Sequence, residues 1–260
     1  MSRAFGVTAG LDPEIASPLA GRCQELGYAS MWSSDIPGAN GLETVAAYTK
    51  GADRMELGVG VLSLDRHSPD GIAADVERLG IDGGRLWLGI GAGVPEKPLT
   101  TVREALPALR EALPGIRLVL AAMGPKMCAF AGAEWDGVFF NWMTPEFAVQ
   151  AREWVEEGAR EARREAPPVF GYVRTSVRPD GEQRLAKEEA FYRDLQPGYR
   201  KHFDRQGAPE GTVGVVGENE SVVQAGLARF GALDVTVVRA VASATIEDMS
   251  ALAEAAAPGD

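Results

Sequence analysis

Gly124-Pro125-Lys126 follows the apolar run 118–120 and opens a stretch of helical composition. Proline at the first helical position gives up only an N–H that would lack a partner there, and the remaining free N–H groups make that helix end positive. The backbone alone can hold an oxyanion at such a place, a phosphate above all. Thr144-Pro145-Glu146 repeats the device after the apolar run 138–140, with Thr144 placed as N-cap. Two more tips, Gly58-Val59-Gly60-Val61 and Gly91-Ala92-Gly93, lack side chains where a ligand would approach the main chain. Neither metal-ligand spacing nor a Ser-His-Asp arrangement is readable, so no metal is expected.

These groups need elements to aim them. Short apolar runs without alternation mark strands buried on both faces, and they recur at 5–8, 29–34, 55–64, 86–90, 118–120, 138–140, 169–177 and 233–238. Helical spacing fills the intervals: 15–26, 42–48, a segment opened by Ser68-Pro69, 101–113, the two proline-initiated segments, a long polar stretch 182–203, 221–230 and 246–256. Eight strands with intervening helices predict a single α/β domain over 1–260, a (β/α)8 TIM barrel; an open doubly wound sheet is the competitor but gives no reason for eight. In a barrel, ligands sit at the C-terminal ends of the strands. That rule selects Ser33, Ser34, Asp35, the Gly58–Val61 and Gly91–Gly93 tips, Met123, Gly124, Asn141, Trp142, Arg174 and Thr175.

Composition narrows the partners. A formal net charge of −11 argues against nucleic acid or an anionic membrane, which need a basic face, and leaves small-molecule chemistry. Cys23 and Cys128 are too few for a disulfide framework or a zinc site and read as core filler. With no signal peptide and no apolar run of membrane-spanning length readable, the cytoplasm is the default expectation.

Three segments resemble the luciferase-like monooxygenase superfamily of flavin and deazaflavin oxidoreductases: ELGYASMWSSD, the block RMELGVGVLSLDRHSPDGIAADVERLGIDGGRLWLGIGAG, and LAAMGPKMCAFAGAEWDGVFFNWMTPE. FYRDLQPGYRKHFDRQG is a weaker echo. The GPKM and NWMTPE phrases look most like deazaflavin-dependent members. The resemblance implies a luciferase-like barrel with coenzyme F420 preferred over FMN. It implies cofactor contacts from a strand-three bulge at Val59-Gly60-Val61, often with a non-prolyl cis peptide, and from Gly91-Ala92-Gly93, Met123, Gly124-Pro125-Lys126 and Asn141. His67 and Trp142 would face the substrate.

Departures from the family pattern are equally specific. Many deazaflavin members carry Asp-His at the end of strand two and an acidic residue after the strand-four glycines, whereas this chain has Asp35-Ile36 and Gly93-Val94. Asp35 is left as the catalytic candidate on strand two. His202, amid Arg200, Lys201 and Arg205, reads as solvated. The connection after strand four is short, so the pocket is either open or covered by a neighbouring subunit or by 182–203; a homodimer is the expected assembly. The reading is a hydride-transferring F420-dependent oxidoreductase of a small organic substrate, with an FMN-dependent monooxygenase or a degenerate, non-catalytic flavin-binding barrel as alternatives.

Overall fold

Strands and helices alternate because each β-strand is apolar on both faces and needs a helix outside and other strands inside. The computed structural model describes residues 2–259. In chain order the elements are β1 (Ser2–Thr8), α1 (Pro13–Glu25), β2 (Ser30–Ser34), α2 (Gly41–Tyr48), β3 (Glu56–Ser63), α3 (Pro69–Arg78), β4 (Leu86–Gly91), α4 (Pro98–Ala112), β5 (Arg117–Ala121), α5 (Pro125–Glu134), β6 (Gly137–Asn141), α6 (Pro145–Glu161), β7 (Val169–Ser176), α7 (Gly181–Leu195), α8 (Pro197–Gln206), β8 (Val215–Val216), α9 (Glu220–Ala228), β9 (Val235–Ala240) and α10 (Ile246–Ala255).

Eight of the strands close into a parallel barrel in the order β1-β2-β3-β4-β5-β6-β7-β9, with β9 returning to β1. The fold is thus a (β/α)8 TIM barrel. β8 is a two-residue addition paired with the tip of β7 at Thr175 and Ser176.

Two cores result from the period of two along each strand. The larger lies between strands and helices, with Phe5, Met31, Leu57, Leu88, Leu118 and Val238 among its fully buried members. The inner one fills the barrel with Trp32, Val119, Phe139, Phe170, Tyr172 and Val237. Trp32 packs against Phe139 and Phe170 at centroid distances of 4.9 and 5.1 Å, so the lower barrel is solid and a ligand can enter only at the mouth.

Helix starts follow the sequence signals. Asn40, Ser68 and Thr144 each accept a hydrogen bond from an N–H of the first turn, a cap worth about 1 kcal/mol. α5 has no side-chain cap: Gly124 stands at its N-cap position. The polar stretch 182–203, read as one helix, is two, because Pro197 disfavours helical backbone at Gln196, which is extended at φ −162° and ψ 153°. The resulting α7–α8 hairpin folds over the mouth rather than running along the outside.

Candidate active site

Alternation fixes which strand-end residues face inward. Two residues beyond the inner-core positions Phe139, Tyr172, Val237 and Trp32 stand Asn141, Arg174, Arg239 and Ser34, and four beyond Ala4, on the same face, stands Thr8. On the remaining strands the inward positions are Gly60, Gly91 and Ala121. The mouth therefore has two arcs: small residues on β3, β4 and β5, polar and cationic ones on β6, β7, β9, β1 and β2.

The small arc is a flat cradle. β3 shifts register against β4 between Val59 and Leu62, and the Gly60–Val61 peptide is cis. A Cβ on Gly60 would stand 3.0 Å from both Phe139 Cζ and the Tyr172 hydroxyl, and one on Gly91 would stand 2.9 Å from Val61 Cγ2. Only the backbone of Val59 can line this floor, since its own side chain packs outward in the strand–helix core. Gly93 takes φ +78°, and the Asp65 carboxylate lies where its side chain would be, 2.5 Å from a Cβ there. Next on the rim, the uncapped N-terminus of α5 is approached by Arg205, whose Nη1 donates to Met123 O at 3.3 Å, while Pro125 and Lys126 are exposed.

The polar arc is tied to the hairpin. Arg174, 2 % exposed, donates to Asn141 Oδ1, pairs with Glu188 of α7 at 3.3 Å, and lies 3.9 Å over the Trp142 ring. Burial pushes the Glu188 carboxyl up, but Arg174 and Arg239 more than cancel this and hold it below the usual carboxylate range. Asn141 Nδ2 donates to the Tyr199 hydroxyl at 3.1 Å, so its amide joins barrel to hairpin. Trp142 is buried beneath the hairpin in a left-handed backbone conformation at φ 54°, and its carbonyl accepts from His202 Nε2 at 2.8 Å and Gln206 Nε2 at 2.7 Å.

His202 is therefore not solvated: it is 2 % exposed, and burial lowers its imidazole to about 4. The flanking charges that suggested solvent lie on the other faces of α8.

The sequence candidates divide cleanly. Val59, Gly60, Val61, Gly91, Ala92, Gly93, Met123, Gly124, Pro125, Lys126, Asn141 and Trp142 lie at the ends of four consecutive strands, β3 to β6. Asp35 and His67 stand outside the ring. One position beyond inward Ser34, Asp35 leaves on the opposite face, where it accepts from Gly41 N at 2.8 Å and pairs with Arg66 and with His67 Nε2 at 2.9 Å. Its side chain is 1 % exposed and its contacts tie the β2–α2 and β3–α3 loops together. Tyr172, Arg239 and Asp65 escaped the sequence reading. Counting two residues past each inward apolar position of β7 and β9 would have found Arg239; no sequence signal brings Asp65 to Gly93.

Cys23 and Cys128 are buried and free, and burial pushes the Cys128 thiol up to about 12. Among the described residues no group of three or more His, Cys, Asp or Glu is arranged to hold a metal, and no helix is long and apolar enough to cross a membrane. A groove of about 950 Å³ opens between α6, α8, β8 and α9, but it shares no residue with the inward ring.

A flavin-type ring fits this mouth. Its rim at Gly60 and Gly91 is bare backbone, where an added Cβ would press on Phe139, Tyr172 and Val61, and the uncapped start of α5 beside Arg205 offers N–H donors to a phosphate tail.

Barrel, glycine bulge and uncapped α5 define the structural class, a (β/α)8 protein with a bare strand-end rim, and sequence comparison gives the family. The model of the luciferase-like monooxygenase family matches residues 99–254, more than half the chain, which belongs to that family. Among solved structures, the coenzyme F420-dependent tetrahydromethanopterin reductase from Methanopyrus kandleri superposes with a TM-score of 0.75 at 18% identity over 96% of each chain. An F420-dependent secondary alcohol dehydrogenase in complex with an F420-acetone adduct gives 0.76 at 16% over 98% of each. The oxygenating constituent of 3,6-diketocamphane monooxygenase from the CAM plasmid of Pseudomonas putida, in complex with FMN, gives 0.71 at 14% over 99% of each. At these identities the structures share the fold. The family described by that model is one of oxidoreductases, the luciferase-like monooxygenases.

Proposed function

We propose that the protein transfers a hydride between coenzyme F420 and a small organic substrate. When bound, the deazaflavin supplies the hydride chemistry. The observation that carries the reading is the placement of Gly60, Gly91 and Gly124 at the ends of three consecutive strands, a bare rim leading to an uncapped helix.

The chain's own residues then have distinct tasks. Gly60 and Val61 form the floor for the ring, and Gly91 keeps its edge clear. Free N–H groups at the start of α5, with Arg205 and Lys126 beside them, bind the phosphate tail. Trp142, with Tyr192 of α7 and Tyr199 of α8 packed beside it, excludes water from the β6–β7 side, where low dielectric strengthens every polar contact. Asp65, exposed beside Gly93, is the carboxylate available for proton exchange at that rim. Asp35 acts as an anchor for two loops rather than as the proton donor.

Titrating the purified protein with F420 and with FMN, each followed by fluorescence, tests the reading. F420 should bind and FMN should bind at least tenfold more weakly, a preference of about 1.4 kcal/mol. Preference for FMN would replace the coenzyme assignment, and binding of neither would leave a barrel without coenzyme function.

A further inference from the structure

We infer that the arginine side of the mouth is a site for an oxyanion carried by the substrate, a carboxylate or its chemical equivalent, built from Arg239, Tyr172 and Ser34. The assignment of that anion to a substrate rests on the proposed oxidoreductase function; the anion site itself stands on separate observations.

Arg239 is 6 % exposed, and among the described residues no carboxylate lies within ion-pair distance of it. Its Nη1 donates to Ala240 O at 2.8 Å and its Nη2 to Thr8 Oγ1, while Nε is buried without a partner. A guanidinium has five N–H donors, so three remain uncommitted. A buried cation with unspent donors and no counterion is costly unless a ligand completes it.

Two further unpartnered groups lie near it. The Arg239 guanidinium lies 6.0 Å from the Tyr172 ring centroid, and the hydroxyl of that ring is buried and unpartnered. Thr8, the acceptor for Arg239, is the register neighbour of Ser34, whose Oγ is likewise buried and unpartnered. Three donors on β7, β9 and β2 thus face one space, and a carboxylate has lone pairs for all three.

Charge points the same way. The charged groups of this arc are Arg174, Arg239 and Glu188; Glu188 ion-pairs with Arg174 and feels Arg239 only at longer range, so two cations share one carboxylate and one positive charge of the arc is left over. The coenzyme's phosphate tail has its own place across the mouth, at α5, on the far side of the aromatic floor. The anion beside Arg239 therefore belongs to the molecule that meets the ring.

The test uses the full-length protein and acetate as probe, with acetamide as its neutral isostere at matched ionic strength, by isothermal calorimetry. F420 affinity is measured in parallel by fluorescence. Acetate should bind and acetamide should not. Arg239→Met should weaken acetate on the order of tenfold or more while leaving F420 within about twofold. Equal binding of acetamide, or acetate binding unchanged in Arg239→Met, overturns the site and leaves ordered water as its occupant. An F420 loss as large as the acetate loss overturns it in favour of the coenzyme. If Arg239→Met does not melt cooperatively, Tyr172→Phe and Arg239→Lys decide: both should weaken acetate severalfold, and unchanged affinity in both refutes the proposal. Wild-type protein that binds acetate but not F420 would sink the coenzyme reading and leave the anion site standing.

Discussion

The two arcs of the mouth occupy equivalent positions of one barrel and solve opposite problems. On β3, β4 and β5 the inward strand-end residues are Gly60, Gly91 and Ala121, and the space is made by removing side chains. On β7 and β9 they are Arg174 and Arg239, and the space is filled with guanidinium, aromatic rings and a helical hairpin. The first arc can be tight because glycine and alanine have little to desolvate. The second buries charge, and the part built on Arg174 depends for its stability on partners contributed by α7 and α8. The contrast predicts that substitutions in the cationic arc chiefly damage folding and those in the small arc chiefly damage coenzyme binding.

The sharpest break of that comparison is Arg174→Ala. It leaves Glu188 without its ion pair and removes the cation stacked on Trp142 and near Tyr192. The expected loss is about 3 kcal/mol in urea denaturation, the lower end for breaking a buried pair, because a quarter of the Glu188 side chain still reaches solvent. A loss below about 1 kcal/mol would mean that the arc carries no buried-charge dependence.

Acidification should separate the arcs next. The His202 imidazole is lowered to about 4 by burial, while an open hairpin would return it to its ordinary value near 6.5. Between those values the open state binds a proton that the closed state does not, so the stabilisation is complete above pH 6.5 and is lost as pH falls toward 4. At pH 5 the hairpin should be weakened by about 2 kcal/mol. Hydrogen exchange would show this as faster exchange across 181–206 with β3 and β4 unchanged, and His202→Gln should flatten the dependence.

Within the small arc, Gly91→Val is the matching experiment. Its Cβ would come within 2.9 Å of a terminal methyl of Val61, which can shift, so folding should survive. The added methyls occupy the cradle edge, and F420 affinity should fall about tenfold, roughly 1.4 kcal/mol. A drop in stability larger than the drop in affinity would place the glycine in packing rather than in binding.

The sequence revealed the two arcs unequally. Gly60, Gly91 and Gly124 announce themselves because glycine at the end of an apolar run has few other uses, and eight such runs imply the barrel that gathers them. The resemblance pointed to the strand-three bulge, which the structure bears out in its register shift and cis peptide. The cationic arc was harder to read because its character comes from non-local contacts. Arg239 lies 231 residues from Thr8, and nothing in the chain near His202 shows that the Trp142 carbonyl will bury it. The hairpin was expected as one long polar helix, 182–203, which Pro197 divides in two. Asp35 leaves the mouth for a simpler reason: one step along a strand exchanges the inner face for the outer layer, where Gly41, Arg66 and His67 meet it.

The smallest expected effect tests how the small arc holds an anion. Lys126 is exposed at the start of α5, whereas the helix N–H groups and Arg205 stand at the rim itself. If backbone and Arg205 do the binding, Lys126 adds only a solvated charge nearby, and Lys126→Ala should weaken F420 by about 0.5 kcal/mol at low salt. At 1 M salt, where screening acts within about 3 Å, the difference should vanish while wild-type binding persists. A large, salt-resistant loss would instead show Lys126 folded onto the phosphate as a direct ligand. The small arc would then need a cation as the other one does, and the division between an arc of backbone and an arc of charge would no longer hold.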